Sequence, residues 1–239
     1  MVENNKKTIL VTGGTSGIGL ATAKALALAG NTVFALGRNI GKAQKACKQD
    51  NLFFYSCNLT EDSGINKALA KIKEEKGISF FDVCVFSAGV GYYGLHENLE
   101  EDNIKELVNV NLLSPLLLTN KLLSGMKQRG SGHFIFLSSV TAERVNPHGA
   151  AYGATKAALS SFAASIFEEA RKNGVKVTSI EPDMTDTDLY RNAYFTADPE
   201  TALKAEDVAE AVLFAVERPE GVNTSLIRLQ PQKHRLLKK

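Results

Sequence analysis

The sequence predicts a doubly wound α/β fold, in which a parallel sheet is covered by helices on both faces. Short runs rich in Val, Ile and Phe alternate along the chain with longer stretches patterned like helices, as is typical of such a sheet. Two of these runs, VCVF and FIFL, are apolar throughout, as expected of central strands whose two faces are both buried. No linker, internal repeat or low-complexity block is found, so a single domain over residues 1–239 is expected.

Seven strands and the helices between them account for most of the chain. The first helix is predicted over Ile18–Ala29, because Gly30 can adopt the left-handed conformation that ends a helix. A late helix is predicted over Glu206–Val216, before Pro219, and the irregular stretch of note is Asp183–Lys204. The predicted strands are Thr8–Thr12, Thr32–Leu36, Leu52–Ser56, Phe81–Ser87, His133–Ser138, Lys176–Ile180 and Ser225–Leu229.

The composition is that of an ordinary globular protein and argues against nucleic-acid binding. With 28 basic and 26 acidic residues the net charge is +2, and the basic run of note lies at the end of the chain. We interpret residues 231–239 as a short, solvated basic tail and residues 1–6 as a short polar N-terminus. The basic run comprises Lys233, His234, Arg235, Lys238 and Lys239.

The cysteines and the N-terminus favour a reducing compartment. Cys47, Cys57 and Cys84 are widely spaced, so neither a disulfide framework nor a zinc site is predicted. The N-terminal MVENNKK leads into a strand without the apolar stretch of a signal peptide. The most apolar segment, Leu112–Leu118, is far shorter than the about 20 residues of a membrane span. The histidines share no metal-ligand spacing, and we expect a cytoplasmic protein without metal or membrane contact.

A glycine-rich loop, TGGTSGIG, lies between the first predicted strand and the first predicted helix. Gly13 permits a tight turn, while Gly17 and Gly19 let the backbone approach a pyrophosphate at the positive end of the helix. Thr15 and Ser16 add hydroxyl donors to this anion site. An isolated loop of this kind is as often a plain turn that caps a helix, but its place directly after the first strand favours dinucleotide binding.

Tyr152 and Lys156 open a helical stretch, spaced so that they share one face of the helix. An ammonium beside a phenol favours the phenolate and lowers a pKa that is about 10 in isolation, so this tyrosine can exchange a proton near neutral pH. Most Tyr-x-x-x-Lys pairs are surface neighbours. Ser138 and Ser139 end a predicted strand and would face the crevice where open α/β sheets bind ligands, although turn serines are the commoner case.

Four motifs in register establish a resemblance to a known family. TGGTSGIG, the asparagine of VNVNLLSP, Ser139 and the Tyr152/Lys156 pair together resemble the short-chain dehydrogenase/reductase family, whose members have a Rossmann-like fold. The resemblance runs from about Lys7 to Leu229. It implies that Tyr152 is the general acid and base, that Lys156 lowers the pKa of this tyrosine and holds the nicotinamide ribose, and that Ser139 orients the substrate oxygen.

Asn111 matches the family's asparagine whose main-chain carbonyl holds a water that links the lysine to solvent. The sequence offers a physical reason, since Pro115 cannot supply the N–H that would occupy this carbonyl in a helix. A proline-kinked packing helix without catalytic duty is the alternative. By resemblance, the dinucleotide is held by Gly13, Thr15, Ser16, Gly17, Ile18, Gly19, Arg38, Asn39, Asn58, Leu59, Ala88, Gly89, Tyr152, Lys156, Pro182, Thr185 and Thr187.

Several positions depart from the family pattern. The usual Asn-Asn-Ala-Gly after the fourth strand reads FSAG at residues 86–89, so the hydrogen bonds of the asparagines must be replaced. Asn58 stands where an aspartate commonly contacts adenine, and its amide oxygen can still accept a hydrogen bond. Asp183 replaces the usual glycine after Pro182. It either selects a cationic substrate or is a turn residue, and the turn preference of aspartate favours the second interpretation.

The end of the second strand, VFALGRN, indicates NADP(H) rather than NAD(H) as the cofactor. Folds that select NAD place an acid there, which bonds the ribose 2′-hydroxyl and repels a 2′-phosphate. Gly37 holds that place here and is followed by Arg38, whose guanidinium can fork onto phosphate oxygens. Thr15 and Asn39 can add hydrogen bonds to the same phosphate. The alternative is that Arg38 is an exposed charge where a helix begins.

We therefore expect an NADP(H)-dependent oxidoreductase that reduces a small-molecule carbonyl, or oxidises an alcohol, by hydride transfer. A catalytically silent dinucleotide-binding sensor is the alternative from another class, kept open by FSAG and Asp183. The chain is too short for the substrate domain of the extended epimerases and dehydratases. Fold and catalytic set do not encode the substrate. The resemblance implies a homodimer or homotetramer built through helices around Asn103–Leu123 and Tyr152–Ala170.

Overall fold

The computed structural model describes residues 6–233 and 235–239, so most of the predicted polar N-terminus and His234 lie outside the described residues. The helices are α1 (Gly17–Leu28), α2 (Ile40–Ala46), α3 (Asp62–Lys76), α4 (Glu101–Val108), α5 (Ser114–Arg129), α6 (Ala150–Ala170) and α7 (Ala205–Val216). The strands are β1 (Thr8–Thr12), β2 (Thr32–Gly37), β3 (Leu52–Ser56), β4 (Val83–Phe86), β5 (Gly132–Leu137), β6 (Val175–Pro182), β7 (Phe195–Ala197), β8 (Leu226–Leu229) and β9 (Leu236–Lys238).

The predicted parallel sheet is confirmed. Seven strands pair in the order β3-β2-β1-β4-β5-β6-β8, and every neighbouring pair is parallel. The winding direction reverses between β1 and β4, so the carboxyl ends of these strands border the crevice in which open α/β sheets bind ligands. β6 runs beyond its predicted end at Ile180, because the pairing with β8 continues to Pro182.

Apolar clusters fill both faces of the sheet. Successive side chains of a strand point to opposite faces, so Phe134 and Phe136 of β5 join one cluster, while Ile135 and Leu137 join the other. The first cluster packs against α3, α5 and α6, and the second packs against α1 and α7. This double burial is the reason that β5 is apolar throughout.

The predicted helix boundaries hold to within one residue for α1 and α7. Gly30, just beyond α1, has φ +89°, which confirms the left-handed conformation predicted there. α7 begins after Lys204, whose backbone N–H donates to the Asp207 carboxylate at 2.7 Å and so satisfies one of the free groups at the helix terminus. These two helices lie side by side on one face of the sheet.

The C-terminal segment differs from the solvated tail that the sequence predicts. β9 pairs antiparallel with β7, which lies inside the stretch expected to be irregular. The backbone N–H of Lys239 donates to the Tyr194 carbonyl at 2.9 Å, and its Nζ donates to the Tyr190 carbonyl at 2.6 Å. Two three-residue strands have too little periodicity to detect in a sequence, so only the folded chain shows that they pair.

Three further observations bear on the predicted class of protein. Among the described residues, no helix has the length and apolar character needed to cross a membrane. No cluster of His, Cys, Asp or Glu large enough to hold a metal ion is found in the same part of the chain. Cys47, Cys57 and Cys84 are free thiols, and burial raises the pKa of Cys57 to about 11.

Candidate functional site

A cavity of about 600 Å³ opens at the carboxyl edge of the parallel sheet. It brings together residues from the loops after β1, β4, β5 and β6 and from the first turns of α6. The predicted site residues that line this cavity are Gly13, Ser16, Gly17, Ile18, Gly19, Ala88, Gly89, Ser139, Tyr152, Lys156, Pro182, Thr185 and Thr187. The predicted site residues that do not line the cavity are Thr15, Arg38, Asn39, Asn58, Leu59 and Asn111.

The loop between β1 and α1 packs backbone to backbone against its neighbours. A Cβ on Gly13, which has φ +67°, would lie 2.6 Å from the Cα of Ala88, and a Cβ on Gly19 would overlap the Gly13 carbonyl. α1 begins at Gly17 with no acidic residue in its first turn, and Ser16 makes no side-chain cap hydrogen bond. The N–H groups of this turn and the Ser16 hydroxyl therefore suit a pyrophosphate.

The FSAG departure is compensated by a threonine. The backbone N–H of Ala88 donates to the Thr12 hydroxyl at 3.3 Å, so the end of β1 supports the loop after β4. Ser87 lies close to the glycine loop, with its hydroxyl 3.1 Å from the place of a Cβ on Gly19. This wall of the cavity is thus tied to the sheet without the family's asparagines.

Ser139, Tyr152 and Lys156 are brought together as the sequence predicts. Tyr152 lies in the first turn of α6, Lys156 follows one turn later, and Ser139 lies just after β5. All three are buried, and all three line the cavity. Their predicted catalytic roles stay predictions at this point.

The electrostatics around Tyr152 differ from the expectation. Burial raises the pKa of the Tyr152 phenol to about 12, although the neighbouring hydroxyls of Ser139 and Tyr93 act to lower this pKa. The Lys156 ammonium is directed elsewhere: Nζ donates to the Leu137 carbonyl at 2.7 Å and lies 5.7 Å from the centre of the tyrosine ring. Burial also lowers the pKa of Lys156 to about 8.

The two serines after β5 have different surroundings. The Ser138 hydroxyl donates to the Lys156 carbonyl at 2.9 Å, so it links the end of β5 to α6. The Ser139 oxygen accepts from the backbone N–H of Thr141 at 3.2 Å and from its hydroxyl at 2.9 Å. Both bonds use lone pairs of Ser139, which leaves its own hydrogen for Tyr152 or a substrate oxygen.

Asn111 lies behind the cavity, in a π-helical turn, Asn109–Leu113, that joins α4 to α5. Its side-chain oxygen accepts from the Val90 N–H at 2.8 Å, and its amide donates to the Val90 carbonyl at 3.0 Å and to the Thr155 hydroxyl at 3.3 Å. The side chain therefore clamps the loop after β4 to α6, a role that sequence reasoning missed. The proposed duty of its main-chain carbonyl stays a prediction.

The residues predicted to read the 2′-phosphate lie beside the cavity. Arg38 has a half-exposed side chain whose guanidinium is 3.2 Å from the Glu106 carboxylate. Asn39 precedes α2 and makes no side-chain cap hydrogen bond. A Cβ on Gly37 would lie 2.6 Å from Cγ2 of Thr15, so Thr15 fills the place where NAD-selecting folds put an acid.

The Asn58 side chain is hydrogen bonded within its own loop. Its amide oxygen accepts from the Thr60 N–H at 3.2 Å and from the Thr60 hydroxyl at 2.9 Å, and its amide group donates to Glu61 at 2.8 Å. Both hydrogen bonds to the oxygen come from Thr60, and the predicted contact with adenine stays a prediction. The neighbouring Leu59 packs against the apolar core.

Asp183 has the surroundings of a turn residue. One carboxylate oxygen accepts from the backbone N–H of Met184 at 2.8 Å, and the other is 3.3 Å from a guanidinium nitrogen of Arg144. The side chain is 10% exposed. Because the negative charge already faces an arginine, these contacts favour the turn interpretation over recognition of a cationic substrate.

Replacing Asp183 with glycine is expected to reduce kcat/KM for every substrate by a similar factor, roughly fivefold, through loss of the turn hydrogen bonds. The measurement compares an amine-bearing carbonyl with its neutral isostere, and Asp183→Asn serves as the control that keeps a turn acceptor without the charge. A selective loss of the amine-bearing substrate would restore the cation-recognition hypothesis.

Aromatic side chains close the cavity opposite the glycine loop. The Tyr93 ring centre lies 5.5 Å from that of Tyr152 and 5.8 Å from that of Tyr190, and the Phe195 ring meets it edge-on at 5.3 Å. Sequence reasoning did not single out Tyr93. The available signal was a tyrosine pair inside the glycine-containing run GVGYYG after β4.

Comparisons with known proteins agree with this architecture. A family profile described as short chain dehydrogenase matches residues 7–197. An uncharacterized oxidoreductase of Staphylococcus haemolyticus is 31% identical over 234 residues, which is 97% of this chain and 100% of the relative. Another, from Staphylococcus epidermidis, is 32% identical over 236 residues, with 97% and 100% covered.

Solved structures agree as well. An alcohol dehydrogenase from the archaeon Thermococcus sibiricus, complexed with 5-hydroxy-NADP, superposes with a TM-score of 0.85 at 26% identity, covering 97% of this chain and 99% of the other. The closed form of a serine dehydrogenase complexed with NADP+ superposes with a TM-score of 0.84 at 25% identity, covering 92% and 93%. These are proteins that the chain is similar to in both fold and sequence.

Proposed function

The chain belongs to the short-chain dehydrogenase family, whose profile matches it over residues 7–197, and from that premise we propose an NADP(H)-dependent oxidoreductase that interconverts a carbonyl and an alcohol. The observation that carries the proposal is the cavity that Ser139, Tyr152 and Lys156 line together with the glycine loop. When bound, the nicotinamide supplies or accepts the hydride.

The proton is the contribution of the protein. Because burial raises the pKa of Tyr152 to about 12, the phenol of the ligand-free protein is protonated at neutral pH. It is therefore ready to donate this proton to the oxygen of a carbonyl as the alcohol forms. Ser139 has a free hydroxyl hydrogen for the same oxygen, and so holds it within reach of Tyr152.

The residues present fit a dinucleotide. The first turn of α1 and the Ser16 hydroxyl suit the pyrophosphate, and the Lys156 ammonium suits the ribose hydroxyls of the nicotinamide half. Arg38 and Thr15 suit a 2′-phosphate, and the NADP complexes among the similar structures support the same cofactor class. The proposed preference for NADP(H) over NAD(H) rests on two features: position 37 is a glycine rather than an acidic residue, and Arg38 follows it.

The wider setting is part of the same proposal. One dinucleotide-binding and catalytic domain over residues 1–239 acts in the cytoplasm, a location supported by the free thiols of Cys47, Cys57 and Cys84. A homodimer or homotetramer is supported by the partly exposed apolar side chains of Leu113, just before α5, and Leu117, within α5.

The test measures NADPH consumption with a broad panel of aldehydes, ketones and diketones, and the loss of NADPH absorbance reports the rate. We expect turnover with at least one carbonyl class, faster with NADPH than with NADH. Tight NADPH binding without any consumption, in either direction of the reaction, would contradict the proposal and support a silent sensor of the dinucleotide.

A further inference from the structure

We infer that the substrate of this site is an uncharged carbonyl compound with an apolar tail, an aryl or long alkyl group, which packs against Val145, Tyr194 and Leu236 at the mouth of the cavity. The inference rests on the proposed function, because it takes Tyr152 as the residue that meets the carbonyl oxygen. It adds the chemical class of the substrate, which the glycine loop and the proton donor do not determine.

Tyr152 belongs to an apolar cluster that lines part of the cavity. Tyr93, Met184, Tyr190 and Phe195 are buried members of the same cluster, and all four line the cavity. The ring centre of Tyr93 lies 5.5 Å from that of Tyr152, and the Phe195 ring meets Tyr93 edge-on at 5.3 Å. The surroundings of the phenol therefore offer aromatic and aliphatic surface to the groups attached to a carbonyl carbon.

Three apolar side chains that line the cavity are exposed to solvent and form its mouth. Val145 is 92% exposed, Tyr194 is 51% exposed and Leu236 is 46% exposed. They come from separate segments, namely the loop between β5 and α6, the turn before β7, and β9. Single exposed apolar residues are common, but three that converge on one cavity indicate a binding surface. A substrate tail that covers them removes apolar surface from water.

Tyr194 is held in place although its side chain is half-exposed. Its ring meets the Phe195 ring edge-on at a centre-to-centre distance of 5.2 Å and the His148 ring edge-on at 5.3 Å. Its backbone carbonyl accepts from the Lys239 N–H at 2.9 Å, so the turn before β7 is fixed to the C-terminal strand. The mouth is therefore preformed, and a tail binds there without first having to order this side chain.

The charges that line the cavity do not favour an ionic tail. The Arg144 guanidinium is 3.3 Å from the Asp183 carboxylate, and Arg191 and Asp188, which also line the cavity, carry opposite charges. Lys156 is the other charged residue of the lining in the described part of the chain, and the proposed function assigns it to the nicotinamide ribose. An uncharged tail avoids the cost of placing an unpaired charge against apolar surface.

The first test follows kcat/KM along a homologous series of the carbonyl class, aldehyde or methyl ketone, that the panel shows to be reduced. We expect kcat/KM to rise about threefold for each added CH₂ group until the tail fills the mouth, because each group leaves water on binding. An oxo acid of matched length, whose tail ends in a carboxylate, should be reduced more slowly than the uncharged compound. Equal values along the series, or a preference for the oxo acid, would overturn the inference.

Substitutions at the mouth should weaken this dependence on tail length. In Tyr194→Ser and in Leu236→Ser, the ratio of kcat/KM for the longest and the shortest substrate is expected to fall about tenfold. Because the ratio compares two substrates on one protein, partial loss of folded enzyme does not change it. Val222→Ser is the matched control, since Val222 is 47% exposed and does not line the cavity. A ratio that stays at the wild-type value in both mouth variants contradicts the assignment.

The second test needs no turnover. Saturation-transfer NMR is recorded with benzyl alcohol as the apolar probe and glycerol as the polar probe, on the wild type, Tyr194→Ser and Val222→Ser. We expect transfer to the benzyl alcohol ring protons in the wild type and the control, a weaker signal in Tyr194→Ser, and none for glycerol. Transfer that Tyr194→Ser leaves unchanged overturns the inference. Absence of turnover with every carbonyl contradicts the proposed function, and this binding test then still decides the class of ligand.

Discussion

Replacing Tyr152 with phenylalanine is expected to reduce kcat by about a thousandfold, the scale of one general-acid contribution. The change removes the transferable proton but keeps the ring that packs against Tyr93 at 5.5 Å. NADPH affinity should change little, because the Lys156 ammonium is held by the Leu137 carbonyl and does not depend on the phenol for its position.

The measurement pairs steady-state kcat with the NADPH dissociation constant from fluorescence titration. Tyr55→Phe is the control, since it removes a tyrosine hydroxyl from β3, which does not line the cavity. Retained turnover in Tyr152→Phe, with the fold intact by circular dichroism, would eliminate this residue as the acid. A parallel loss of NADPH binding would show instead that the phenol supports the cofactor site.

The wild-type protein is expected to bind NADPH at least about tenfold more tightly than NADH, as one charge-assisted contact to the 2′-phosphate provides. The Arg38 side chain is 54% exposed, so exchanging its ion pair with Glu106 for a phosphate costs little free energy. No acid at position 37 opposes the phosphate, because that residue is glycine.

A reversal of this preference needs three substitutions. Gly37→Asp with Arg38→Leu supplies the acid and removes the guanidinium, but the new Cβ would lie 2.6 Å from Cγ2 and 2.9 Å from Cβ of Thr15. We therefore expect the double variant to bind both dinucleotides weakly. Adding Thr15→Gly removes these contacts, and the triple variant should prefer NADH by about tenfold.

The measurement is the dissociation constant for NADPH and for NADH, determined on the wild type, the double variant and the triple variant. Thr15→Gly alone is the control for the lost hydroxyl. A wild type with equal affinity for the two dinucleotides would contradict the assignment of Arg38. A double variant that already prefers NADH would contradict the steric role given to Thr15.

Much of the site follows from the sequence because parallel strands end at a common edge. The apolar runs predict β1, β4, β5 and β6, and the chain order then places the glycine loop, Ser139 and the beginning of α6 at the same crevice. Gly30 marks the end of α1 for a purely local reason, its freedom to adopt φ +89°. Features of this kind depend only on residues that are close in the chain, so the sequence alone predicts them.

Other features depend on which groups become neighbours after folding. The Thr60 hydroxyl donates to the amide oxygen of Asn58, and Arg144 meets Asp183 although they are distant in the chain. The pairing of β7 with β9 and the contact of Tyr93 with Tyr152 likewise join separate segments. None of these contacts leaves a periodic signal in the sequence.

The pKa of Tyr152 shows most clearly the difference between what the sequence predicts and what depends on the folded structure. The sequence by itself determined that Tyr152 and Lys156 share a helical face, and from that spacing a lowered tyrosine pKa was expected. The tertiary structure decided the opposite direction, since it buries the phenol and raises its pKa to about 12. Spacing along a helix fixes which groups are near, but the cost of burying a charge depends on everything packed around it.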